Sequence, residues 1–169
     1  MATRRGATRE VVSVFREALL LEREALDAYA AAIACLADEP LTRDTAMAFL
    51  SAHERHFDAL RTRLRALGVQ QLEPDDSPRR LLPPERFAEP HGTSGALLLL
   101  RMNADELVRR YRQLLTHPLS EDDLSALRRI CNDELRHRAW LAARIQAFAA
   151  VEHRGEARPS AAPHGRVTA

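Results

Sequence analysis

Apolar residues recur three and four apart, the helical spacing, in four stretches free of proline and glycine: residues 7–39, 41–67, 96–117 and 119–154. The first predicts a helix from about Arg9 to Leu36 with the stripe Phe15, Ala18, Leu19, Ala25, Leu26, Tyr29, Ile33 and Leu36. Glu22 falls in the centre of that stripe, while Glu24 falls among Arg16, Glu17, Arg23 and Asp27 and is expected to face solvent. The second helix is expected from an N-cap at Thr42 to Leu67, stopped by Gly68, with the stripe Ala46, Phe49, His53, His56, Leu60, Leu64 and Leu67. The third runs from about Ser94 to Thr116 and turns Leu97, Leu100, Ala104, Leu107, Val108, Tyr111, Leu114 and Leu115 inward. The fourth is capped by Ser120, with Asp123 three residues on, and runs to about Val151 with Leu127, Ile130, Glu134, His137, Leu141, Ile145 and Phe148 on one face.

The second and fourth stripes match position by position at an offset of 81, so that Glu134 and His137 fall on His53 and His56. The first and third match at an offset of 82, which carries Phe15, Ala18, Leu26, Tyr29 and Ile33 onto Leu97, Leu100, Val108, Tyr111 and Leu115. One helical hairpin has been duplicated, and its polar interruptions stand at matching depth. Residues 68–95 hold five prolines and three glycines and cannot form a regular helix. A connection this long needs a reason, and a crossover from one hairpin to the other supplies it. The expected architecture is all-α: an N-terminal arm (1–8), a four-helix bundle (9–151, crossover 68–95) and a disordered tail (152–169).

Composition changes this picture little. The chain has 169 residues, enough for one domain with a sizeable core. Apolar residues make up 46% and aromatics only 5%, which suits helix packing. Lysine is absent, and all 25 basic residues are arginine, which reads as coding bias. A net charge of +1 with both signs interspersed leaves no footprint for nucleic acid, and no apolar run is long enough to span a membrane. Cys35 and Cys131 lack metal-type spacing and read as buried, inert thiols, which makes the cytoplasm the expected compartment.

The chemistry lies in the interruptions. Glu22, His53, His56, Glu134 and His137 are expected at one level of an apolar core, where unpaired polar groups are costly. A transition metal bound by all five explains them together, and imidazole with carboxylate favours Fe, Mn or Zn. A set of buried groups satisfied by one another or by water is the other explanation. Tyr29 and Tyr111, at equivalent positions, can each hydrogen-bond a ligand carboxylate across the core or serve only as packed aromatics. Trp140 reads as packing, and Arg55 and Arg136 reach outward. No phosphate loop or nucleophile elbow is present, and His53-Glu54-Arg55-His56 lacks the zinc-protease spacing.

Together these residues resemble the ferritin-like superfamily, the group of rubrerythrin, bacterioferritin and ferritin, over about residues 9–150. The resemblance implies two hairpins joined by a long crossover. It also implies a carboxylate-rich metal centre to which the first helix gives Glu22, seven residues before Tyr29, and the fourth gives Glu134 and His137. His56 matches the second helix's histidine, but His53 stands where the family has a glutamate. Ala104 stands where the third helix should supply one, flanked by Asn103, Asp105 and Glu106. With two of four carboxylates replaced, a His-rich site for one ion, or an unequal pair, fits better than a standard di-iron centre. Iron handling, or O2 or peroxide chemistry in stress protection, is the implied role, with a ferroxidase-like activity left open and a homodimer or larger homo-oligomer possible. The alternative is a metal-free interaction bundle whose contact surface combines Leu98, Leu99 and Met102 with Leu20 and Leu21.

Overall fold

The computed structural model describes residues 2–72, 79–87 and 92–156. Among the described residues the chain forms four long helices, α1 (Ala2–Ala34), α2 (Pro40–Ala66), α3 (Gly92–Leu114) and α4 (Glu121–Glu156), and a 3-10 turn at Pro84–Phe87. It is all-α among the described residues, a four-helix bundle in which α1 pairs with α2 and α3 with α4. The expected tail beyond Glu156 and the crossover prolines 74, 78 and 90 lie outside the described residues. Residues 2–8 belong to α1, and α4 runs five residues past Val151.

Each helix buries the stripe that its spacing predicts. On α1, Phe15, Ala18, Glu22, Ala25, Tyr29 and Ala32 are all inaccessible or nearly so, as is Leu36 in the turn that follows. The core divides into two clusters. One joins Phe15 and Leu21 to Leu107, Tyr111 and Leu127. The other joins Tyr29 and Leu36 to Leu97, Leu100, Ala104 and Leu141. This grouping, early α1 with late α3 and late α1 with early α3, sets the two helices antiparallel. The polar site lies between the clusters.

The ends show how local chemistry sets the boundaries. Gly68 has a positive φ of 83°, and the bonds from its N–H to Arg65 O and from Val69 N–H to Leu64 O close α2 with a Schellman turn. Ser120 caps α4 as expected: its Oγ accepts from Asp123 N–H at 3.2 Å and donates to the Asp123 carboxylate at 2.7 Å. The expected cap at Thr42 is corrected. Proline at the first position starts α2 at Pro40, and Thr42 is buried inside the helix, accepting from Arg144 Nε at 2.8 Å.

A second correction concerns Glu24. Far from facing solvent, it is 2% exposed, because the crossover covers it. Its Oε2 accepts the backbone N–H groups of Arg80 and Leu81, both at 2.8 Å. Asn103 on α3 holds the next residue at both polar groups, accepting from Leu82 N–H at 2.7 Å and donating to Leu82 O. With the Arg79–Asp27 ion pair, these bonds strap the crossover across α1 and α3 and press Leu81 into the core. Glu24→Ala would orphan two backbone donors, so it is expected to cost about 2–4 kcal/mol in urea denaturation. Glu17→Ala, at a half-exposed position, is expected to cost less than ~0.5 kcal/mol. Equal small losses would show that the strap contributes nothing.

The opposite side of the bundle is built differently. The backbones of α2 and α4 approach each other much less than those of α1 and α3. Long polar side chains bridge the gap: Arg144 to Thr42 and Glu39 at one end, His56 to Asp133 in the middle, and Arg63 to Asp123, bidentate at 2.7 and 2.9 Å, at the other. Leu98 and Met102 are half-exposed on α3, but Leu21 is fully buried, so the five-residue apolar strip does not form one surface. Cys131 is buried as expected and burial pushes its thiol up, whereas Cys35 is only half-buried.

Candidate metal centre

Three helices supply the centre. Glu22 comes from α1, His53 and His56 from one face of α2, and Glu134 and His137 from one face of α4. One ligand atom each of Glu22, His53, His56 and Glu134 lies within 4.8 Å of all the others, so this cluster could hold a metal ion. First-row ions bond N and O donors at about 2.0–2.2 Å, so donors on one ion stand no more than ~4.4 Å apart, and small side-chain movements suffice here. Glu22, His53 and Glu134 are wholly buried, while His56 is slightly exposed.

The hydrogen bonds organise this set. Glu22 Oε2 accepts from His53 Nδ1 at 2.7 Å, and Glu22 Oε1 accepts from the Tyr111 hydroxyl at 2.5 Å. His56 Nε2 donates to Asp133 Oδ2 at 2.9 Å. A carboxylate only accepts, so Nε2 carries a proton, and Nδ1 of the same ring faces Glu22 Oε2, 3.4 Å away. The carboxylate–imidazole contact fixes the tautomer that a metal-binding histidine needs.

Glu134 completes the argument. Its Oε1 stands 3.7 Å from His53 Nδ1 and 3.5 Å from His137 Nδ1, too far for hydrogen bonds. Both Glu134 oxygens, His53 Nε2, His56 Nδ1 and His137 Nδ1 are buried with no hydrogen-bond partner among the described residues. Buried polar groups are normally partnered, and a cation held by Glu22, His53, His56 and Glu134 would satisfy part of this set. The donor set fits a first-row ion.

Charge is already arranged. Burial works to raise the Glu22 carboxyl, but the charges and hydrogen bonds of His53 and His56 outweigh it and hold the group down to about 2. Burial likewise works against a charged His53, yet Glu134 and Glu22 push that imidazole up to about 9. Without metal, Glu22 and His53 therefore form an ion pair at neutral pH. Burial, reinforced by the two carboxylates, raises both Tyr29 and Tyr111 well above 10, so both phenols are neutral donors.

The sequence-predicted residues are thus gathered, but unequally. His137 stands at the edge, its ring stacked on Phe49 at 4.0 Å between centroids, with Trp140 packed edge-on against Phe49. Tyr111 bonds the Glu22 carboxylate across the core, whereas the Tyr29 hydroxyl has no partner among the described residues. On α3, Asn103 serves the crossover, Asp105 pairs with Arg101 and Arg138, Glu106 pairs with Arg109 and Arg110, and Ala104 fills the slot equivalent to Glu22. Sequence reasoning missed the part of Asp133. Its signal was a position four residues before His137, beside the stripe, where an α4 side chain can reach across to α2.

Compared with protein-family models, with curated proteins and with solved structures, the chain matches none. Among the described residues, no helix is long and apolar enough to cross a membrane.

Proposed function

We propose that this chain is a ferritin-like metal-binding protein that holds one first-row transition ion through Glu22, His53, His56 and Glu134, with His137 beside them. The observation that carries the reading is the cluster in which one ligand atom each of Glu22, His53, His56 and Glu134 lies within 4.8 Å of the others, with both Glu134 oxygens and His56 Nδ1 left without hydrogen bonds. Two carboxylates balance one divalent ion, whereas two trivalent irons would leave the buried site strongly positive. Iron is the favoured occupant, with manganese or zinc as alternatives that the same donors accept. The role that follows is iron handling or O2 or peroxide chemistry, with a ferroxidase-like oxidoreductase as the enzymatic form.

Metal content measured by mass spectrometry, on full-length protein purified without an affinity tag, tests this. About one equivalent of Fe, Mn or Zn is expected, and the His56→Ala variant should lose it. Protein that is metal-free as purified and takes up neither Fe(II) nor Zn(II) would sink the reading. The metal-free interaction bundle would then stand, supported by the half-exposed Leu98 and Met102 on α3.

A further inference from the structure

The duplication makes a comparison within the molecule. Tyr111 on α3 lies opposite Glu22 on α1 and donates to it. The offset of 82 carries Tyr29 onto Tyr111 and Glu22 onto Ala104. Tyr29 and Ala104 are therefore the duplicate of the Tyr111–Glu22 pair, on the same two antiparallel helices and in one packed cluster. One tyrosine has its acceptor and the other does not. Tyr29 is 3% exposed, and its hydroxyl has no hydrogen-bond partner among the described residues. Its ring lies against His53, 5.0 Å between centroids, so this unused donor borders the metal centre. The side chains of glutamate and alanine differ by one CH2–COO⁻ fragment, which has the size of acetate.

We infer that a small carboxylate anion from solution binds beside Ala104, accepts the Tyr29 hydroxyl and turns its second oxygen to the bound ion. This rests on the metal reading above. His137, whose ring centroid lies 6.4 Å from that of Tyr29 and whose Nδ1 is buried without a partner, offers a second polar contact nearby. An anion enters a buried site only with a positive partner, so the carboxylate follows the ion and does not precede it.

The test uses full-length protein loaded with Co(II), whose visible spectrum reports its coordination, titrated with acetate against chloride at equal ionic strength. A saturable spectral change is expected, with a dissociation constant of order ~1 mM, reasonable for so small a ligand. Tyr29→Phe, which removes only the hydroxyl, should weaken acetate binding about tenfold. Ala104→Glu should still bind Co(II) and give no response to acetate, because its own carboxylate takes the place. A wild-type spectrum that acetate leaves unchanged overturns the inference, as it would if neighbouring side chains had closed over Ala104. So does an identical response in all three proteins. A chain that takes up no Co(II) at all overturns the metal reading itself, and this inference with it.

Discussion

The Glu134→Leu protein is expected to bind no metal and, free of metal, to melt at a higher temperature than the wild type. Glu134 is wholly buried, and neither oxygen has a hydrogen-bond partner among the described residues. In the metal-free state it is a desolvated carboxyl group with His53 Nδ1 3.7 Å and His137 Nδ1 3.5 Å away and no hydrogen bond to either. Leucine has a similar volume and no desolvation cost; His53 keeps Glu22 at 2.7 Å, so no charge is left unpaired, and apolar replacement of buried charge then stabilises by about 1–4 kcal/mol. For a chain of this size that raises the midpoint by about 3–10 °C in a thermal scan. Loss of a donor that reaches the ion directly should lower metal affinity by more than ~100-fold, beyond the effect of losing a supporting residue. A substituted protein that keeps its metal would remove Glu134 from the ligand set. One that loses metal and also melts lower would make Glu134 a structural group.

The second large effect is that of pH on metal affinity. His53 is pushed up to about 9 and Glu22 held down to about 2 in the metal-free fold. A raised histidine contributes stability that is full below its unfolded value of 6.5 and lost as pH climbs through 9. A depressed carboxyl contributes stability that is full above its unfolded value of 4.5 and lost as pH falls through 2. The metal-free protein should therefore be most stable between these unfolded values and weaken on both sides. A metal ion must displace the His53 proton, so its apparent affinity should rise about tenfold per pH unit from 6.5 toward 9, with about one proton released. Titration calorimetry at pH 7.5 in two buffers of different ionisation enthalpy counts that proton. Affinity that is flat between pH 6.5 and 8.5, with no proton released, would mean that His53 binds no metal.

The fold was legible in the sequence because bundle helices announce themselves by period. The stripes on α1 to α4, the Ser120 cap and the stop at Gly68 all depend on residues within a turn or two of one another. The internal duplication then put Glu22, His53, His56, Glu134 and His137 at one depth. What the sequence did not yield depends on distant partners. Glu24 sits on the charged face of α1, and nothing near it reveals that Arg80 and Leu81 will bring their backbone donors to it. Thr42 looked like a cap because its partner, Arg144, lies on another helix. Tyr29 and Tyr111 are alike by position, and only the alanine across from Tyr29 distinguishes them.

The unequal sides of the bundle have a consequence for traffic. Along α1 and α3 an apolar layer and the strapped crossover stand between solvent and the centre, so any passage there would have to part packed hydrocarbon. Along α2 and α4 the gap is bridged by hydrophilic groups, and solvent already touches His56 and Asp133 while Glu22, His53 and Glu134 stay sealed behind them. A hydrated cation arriving on that side meets a carboxylate first and an imidazole next, each able to take the place of a shed water molecule. If the proposed ion enters from solvent, the α2–α4 side is its way in, and the His56–Asp133 contact is what it meets first.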